Sequence, residues 1–143
     1  MPLGPVLHIL GMLLSLLACT MVIPAVVDYV YGYSEWSAFL AASAITLFFG
    51  FGLLLSTRLR AHDQLGLRQA FLLTNAAWIL IGVFGSLPFL LGNTGMGLTD
   101  AIFESVSGIT TTGSTVIPVI EAMSPGILIW RALLQWLGGI GII

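Results

Sequence analysis

The chain alternates long apolar runs with short polar breaks. Residues 1–27, 36–56, 70–91 and 125–143 are almost wholly apolar, and each is close to the roughly 20 residues a helix needs to cross a bilayer. The pattern therefore predicts four membrane helices. The last ends apolar at Ile143, with no basic or polar flank, as a truncated helix of a longer protein would. Pro2 and Pro5 suit the start of the first helix, and Pro24 is expected to bend or end it. Residues 28–36 (DYVYGYSEW) then read as a polar link whose aromatic rings suit the bilayer interface. Gly50 and Gly52 in the second run, and Gly138, Gly139 and Gly141 in the fourth, are positions where helices can approach closely. Near the end of the third run stands Pro88, and Gly92-Asn93 forms a stop, followed by a flexible turn through Leu98.

The stretch between the third and fourth runs, residues 99–125, is too polar and too broken to span as a helix. Within 100–109, apolar residues at Ile102, Phe103, Val106 and Ile109 follow a helical spacing. Thr99 or Asp100 is the expected cap of that helix, where a carboxylate also suits the dipole. Residues 110–115 (TTTGST) then offer hydroxyls and one glycine, and Ser124-Pro125 starts the next helix.

A short helix followed by a Thr/Gly-rich extended segment, set between membrane spans, reads as a re-entrant pore loop. Non-helical backbone persists at membrane depth only where protein surrounds it or it lines water. A cation filter needs such backbone, because carbonyl oxygens replace the ion's hydration shell. At least one residue must then turn left-handed, and Gly113 does so without steric cost. The short helix would also point the negative end of its dipole at the ion. From spacing alone, a Thr-rich extended loop or strand remains the alternative, since threonine favours extended backbone.

Two stretches carry a family resemblance. DAIFESVSGITTTGST (100–115) resembles the first pore loop of the Trk/Ktr/HKT superfamily of potassium transporters, closest to the bacterial TrkH type. RALLQWLGGIGII (131–143) resembles the start of the helix that follows that loop. The likeness extends over essentially the whole chain, including two helices that precede the first pore repeat in that type. It implies an all-α membrane protein with two leading transmembrane helices (1–56), a cytoplasmic loop (57–69) and one helix–pore loop–helix repeat (70–143). Within that repeat it implies a transmembrane helix at 70–91, a pore helix at 100–109, a filter at 110–115 and a truncated second helix from 125.

The resemblance places Thr110, Thr111, Thr112 and Gly113 at the filter, with potassium held by the carbonyls of Thr111, Thr112 and Gly113. Ser114 and Thr115 form its outer edge. A lone glycine in place of a Gly-Tyr-Gly run suggests a less rigid filter. The family builds its filter from four similar repeats in one polypeptide, and only one repeat occurs here. The chain is therefore expected to supply one quarter of a filter and not to conduct alone. The whole protein is expected to take up potassium across a bacterial inner membrane, as a homodimer working with a cytosolic nucleotide-binding regulatory subunit. Potassium is transported, and no tightly bound cofactor is implied.

Composition agrees with the membrane reading. The chain is 58% hydrophobic and 7% charged, against about 25% charged residues in soluble domains. The net charge of −2 rests on too few groups to indicate a partner other than lipid, and no basic patch offers itself to nucleic acid. Cys19 is the only cysteine, so it forms no internal disulfide or thiolate metal cluster, and it is expected to be a buried packing residue. His8 reads as an interfacial histidine, and Phe48, Phe49 and Phe51 as lipid-facing or packing side chains. Thr74 and Asn75 are expected to bond across helices.

Arg58, Arg60 and Arg68 fall in residues 57–69, which makes that loop and the amino terminus cytoplasmic by the positive-inside rule. Asp28, Glu35, Asp100, Glu104 and Glu121 then lie on the outer side, where they raise local cation concentration. Glu104 and Arg131 are expected at similar depth, as an ion pair bracing the pore loop. Exchanging the two should then do less harm than changing either one. Asp100 and Glu104, one turn apart, form a weaker candidate cation site. Enzyme chemistry finds no support: no His-x-x-x-His or Gly-x-Ser-x-Gly spacing occurs. A proton-coupled carrier of another substrate is the runner-up, because broken helices also build transporter sites. A structural membrane subunit is the third reading.

Overall fold

The computed structural model describes residues 3–57 and 65–141. Among these described residues six helices follow in order: α1 (Gly4–Tyr31), α2 (Trp36–Ser56), α3 (Leu67–Gly85), α4 (Leu87–Leu91), α5 (Leu98–Ile109) and α6 (Pro125–Gly141). A 3-10 turn at Ile120–Ala122 precedes α6, and no strand occurs among the described residues. Gly4–Tyr31, Trp36–Ser56 and Leu67–Leu91 are long and apolar enough to cross a membrane. The 17 residues of α6 rise about 25 Å at 1.5 Å each. Most of the basic loop, including Arg58 and Arg60, lies outside the described residues; Arg68 stands in the first turn of α3.

The first helix is longer than its proline suggested. Pro24 sits inside α1, which continues to Tyr31 and closes on Gly32 in the left-handed conformation (φ 78°). The Gly32 amide donates to the Tyr29 carbonyl and the Tyr33 amide to that of Asp28, a glycine-dependent helix stop. Asp28 is therefore a helical residue with no exposed surface, rather than part of a surface link.

α1 and α2 form an antiparallel hairpin because small residues let their backbones meet. A Cβ on Gly11 would come within 2.8 Å of the Gly50 carbonyl oxygen, and one on Gly50 within 2.8 Å of the Ser15 amide. Farther along, the Ser43 hydroxyl donates to the Ala18 carbonyl at 2.8 Å. Gly52, by contrast, faces open space. Cys19 is exposed at the surface of this hairpin, not buried: apolar sequence around a residue in a membrane helix does not say whether it faces protein or lipid. Phe48, Phe49 and Phe51 are exposed as well, Phe49 also meeting Phe84 with ring centroids 5.4 Å apart. His8 Nδ1 lies 3.1 Å from the Thr57 hydroxyl and 3.2 Å from its carbonyl, which ties the two ends of the hairpin.

Among the described residues Thr74 and Asn75 do not bond across helices. Each donates to the carbonyl one turn earlier in α3, to Ala70 and Phe71, and each is exposed. Such a local bond competes with any interhelical one. The helix breaks at Ser86, just before Pro88, whose ring cannot donate an amide to the preceding turn. A carbonyl at the end of a helix needs a partner from elsewhere. That of Gly85 receives the Trp130 indole N–H from α6 at 2.9 Å. Trp130 also meets Phe39 edge-on at 6.4 Å, and with Leu14, Met21, Phe89 and Leu134 they form the core where α1, α2, α4 and α6 converge.

Candidate ion-coordinating segment

α5 positions the segment. The cap of α5 is Gly97, whose carbonyl accepts the Ala101 amide, so Thr99 and Asp100 lie inside the first turn and neither caps. The periodicity that predicts this helix does not coincide with its buried face. Phe103 and Val106 are 45% and 42% exposed, while Ala101, Glu104, Ser105, Ser107, Gly108 and Ile109 are buried. Small residues face inward because α6 comes very close. A Cβ on Gly108 would meet Leu134 at 3.0 Å, and Gly138 lies directly against the Ile109 carbonyl. Gly139 and Gly141 face open space.

After Ile109 the chain folds back along its own helix. The Thr110 amide donates to Val106, the Thr111 amide to Gly108, and those of Thr112 and Gly113 both to Ser107, at 2.9–3.2 Å. Two left-handed residues permit this, Thr111 (φ 59°) and Gly113 (φ 77°). Gly113 fits the sequence expectation; Thr111 is the less usual occupant of that conformation. All four amides of 110–113 are thereby taken up by α5. Among the described residues no donor reaches the carbonyl oxygens of Thr110, Thr111, Thr112 or Gly113. The hydroxyls of Thr110 and Thr112 lie 2.9 Å apart, and that of Thr110 donates to the Val106 carbonyl.

The next residues are gripped by side chains of α5. The Ser107 hydroxyl donates to the Ser114 carbonyl at 2.6 Å. Glu104 Oε1 accepts the Thr115 hydroxyl at 2.5 Å and the Val116 amide at 2.6 Å, and its Oε2 accepts Arg131 Nε at 2.9 Å. The Glu104 side chain has no exposed surface and that of Arg131 is 15% exposed. A buried carboxylate without such partners would be very costly. Here a guanidinium, a hydroxyl and an amide share its charge. Both oxygens of Glu104 are engaged by protein donors, and Asp100 is exposed. Among the described residues no cluster of three or more His, Cys, Asp or Glu could hold a metal ion.

Three contributors went unread in the sequence. Ser107 stands three residues after Glu104, hence on the same helix face. Gln135, one turn beyond Arg131 on α6, brings its Nε2 within 3.4 Å of where a Gly113 Cβ would sit. Asp28 of α1 fixes the start of α6. Its Oδ1 accepts the Gly126 amide at 2.6 Å and its Oδ2 the Ser124 hydroxyl at 2.9 Å, while Ser124 Oγ accepts the Ile127 amide. A polar residue repeated at helical spacing beside an expected ion pair was the available signal for the first two.

Taken together, the helices define a multi-pass α-helical membrane protein, organised about a short helix and the non-helical, hydroxyl-rich stretch that follows it. The family model for TrkH, described as a cation transport protein, matches residues 35–143. The chain belongs to the TrkH family of cation transport proteins. It is 43% identical to the Trk system potassium uptake protein TrkH of Halomonas elongata, over 100% of this chain and 30% of that protein. Against the protein of the same name from Escherichia coli K12 it is 36% identical, over 95% of this chain and 28% of that protein. The crystal structure of the potassium transporter TrkH from Vibrio parahaemolyticus superposes with a TM-score of 0.92 at 38% identity, covering 99% of this chain and 30% of that one. The chain thus spans less than a third of the length of these relatives.

Proposed function

We propose that these residues form one of four filter repeats of a protein that takes up potassium across a bacterial inner membrane. Potassium is what the relatives' names state, at 36–43% identity. In this reading residues 1–56 are two leading spans, 57–69 a cytoplasmic loop and 70–143 the first repeat, with the amino terminus in the cytoplasm. Thr110, Thr111, Thr112 and Gly113 coordinate the dehydrated ion through their carbonyls, and Ser114 and Thr115 stand at the edge. A homodimer and a cytosolic nucleotide-binding regulator complete the proposed assembly.

One observation carries the reading: four successive amides are bonded back to α5 while their four carbonyls have no protein donor. Thr110 to Gly113 are exposed on this chain, which leaves their carbonyls open to water or to a cation, the partners that backbone acceptors at membrane depth require. The carboxyl end of α5, where the helix dipole is negative, adds attraction for a positive charge beside them.

The test is potassium-limited growth and potassium uptake by the complete protein in a bacterium lacking other uptake systems. Gly113→Asp should abolish both while the protein still reaches the membrane. Uptake unchanged by that substitution would remove the filter assignment. Transport of a saturable organic substrate, indifferent to potassium, would favour a proton-coupled carrier instead.

A further inference from the structure

Ser107 is bonded to three consecutive residues of the segment. Its carbonyl accepts the amides of Thr112 at 3.0 Å and Gly113 at 3.2 Å, and its hydroxyl donates to the Ser114 carbonyl at 2.6 Å. Ser107 is 6% exposed, so water has little access to compete for that bond. The bond turns the Ser114 oxygen toward α5. Among the described residues the carbonyls of Thr110 to Gly113 have no protein donor, whereas that of Ser114 has one, and the Ser107 hydroxyl supplies it.

We propose that Ser107 is a positioning residue that sets ion discrimination, by holding the Ser114 carbonyl out of the coordinating row. The inference rests on the carbonyl-filter reading and adds to it what fixes the row's outer limit. Discrimination between alkali ions depends on the number of coordinating carbonyls and on how far they can close around the ion. Without the hydroxyl, the peptide joining Ser114 to Thr115 loses that tether and can turn as a plane about Ser114 ψ and Thr115 φ. An oxygen released there can swing toward the ion. A ring able to contract serves the smaller sodium ion better, so the preference for potassium over sodium falls.

Ser107→Ala removes the hydroxyl and leaves both backbone bonds of Ser107 in place, and Ser107→Thr restores a hydroxyl. The complete protein is reconstituted in liposomes, with uptake of potassium and of sodium measured separately and membrane content checked for each variant. Ser107→Ala should lower the potassium-to-sodium ratio about fivefold, the equivalent of roughly one hydrogen bond, and Ser107→Thr should return it toward the parent value. Ser107→Cys, a weaker donor of similar size, should fall between them and stands in if the alanine variant does not accumulate. A ratio equal to the parent in Ser107→Ala or Ser107→Cys would overturn the proposal, as would a threonine variant no better than alanine. Gly113→Asp in the same liposomes separates the two readings. If it transports, the filter assignment itself fails; if it is silent while Ser107→Ala keeps the parent ratio, only the role of Ser107 fails.

Discussion

Asp28 and Gly126, 98 residues apart, are joined by a hydrogen bond of 2.6 Å between the Asp28 carboxylate and the Gly126 amide. A carboxylate at a helix amino terminus satisfies amides that have no partner within the helix, and it meets the positive end of the dipole. The contact is so close that a side chain on Gly126 would collide with the carboxylate. The leading helix α1 is thereby fastened to α6, the helix that carries Arg131.

Asp28→Ala should therefore destabilise the protein although it lies far in sequence from the segment. Leaving the Gly126 amide and Ser124 hydroxyl buried without an acceptor costs about 1–3 kcal/mol. Asp28→Asn keeps one acceptor oxygen and should cost less. Thermal unfolding in detergent would order the three proteins as parent, asparagine, alanine; equal midpoints for parent and alanine would refute the clamp.

Arg131→Met should be among the most damaging single changes. It leaves the buried Glu104 charge without its cation, and breaking a buried pair from one side costs about 3–5 kcal/mol. Glu104→Gln combined with Arg131→Met removes both charges and should recover part of that loss. The exchange that the sequence alone suggests would be mild is not expected to be. Arginine at 104 has no acceptor to offer the Thr115 hydroxyl and Val116 amide, which now bond to the carboxylate. A double-mutant cycle on detergent melting gives the comparison.

Gly138→Ala should disrupt the contact of α6 with α5, since the added carbon would overlap the Ile109 carbonyl, a backbone atom that cannot rotate away. Gly139→Ala and Gly141→Ala face open space and should stabilise α6 by about 0.5–1 kcal/mol each, the helix advantage of alanine over glycine. Detergent melting again decides, and three equal effects would contradict the packing described.

Gly113→Ala tests backbone conformation without adding charge. At φ 77° a side chain costs about 1–2 kcal/mol, and the new methyl would also press on the Gln135 amide at 3.4 Å. Uptake by the complete protein should fall sharply with modest loss of stability. Gly95→Ala, also at positive φ but with open space around it, should affect uptake far less.

The sequence disclosed the helices and the order of the elements because apolar length is a strong signal in a membrane protein. It disclosed the left-handed Gly113, where glycine is the usual residue, but not the left-handed Thr111 two residues earlier. What it concealed was facing. Cys19 and the α5 residues Phe103 and Val106 are apolar and exposed, while Asp28 is charged and buried; the Glu104–Arg131 pair, by contrast, was legible, because an ionisable residue at membrane depth calls for a partner of opposite sign. In a bilayer the outer surface is as apolar as the core, so hydropathy loses its power to mark the inside. Asp28 was hidden for a second reason. Pro24, a residue expected to bend or end the helix, lies inside it, and Gly32, the residue type that closes helices, marks the end.

From Thr112 to Val116 the segment is fastened to α5 residue by residue, through Ser107 and Glu104. Collapsing this row to shut a pathway would mean breaking those five bonds together, at about 1 kcal/mol each. The five bonds tie helix and row into one unit. Any substitution that shifts α5 is therefore expected to shift the row with it.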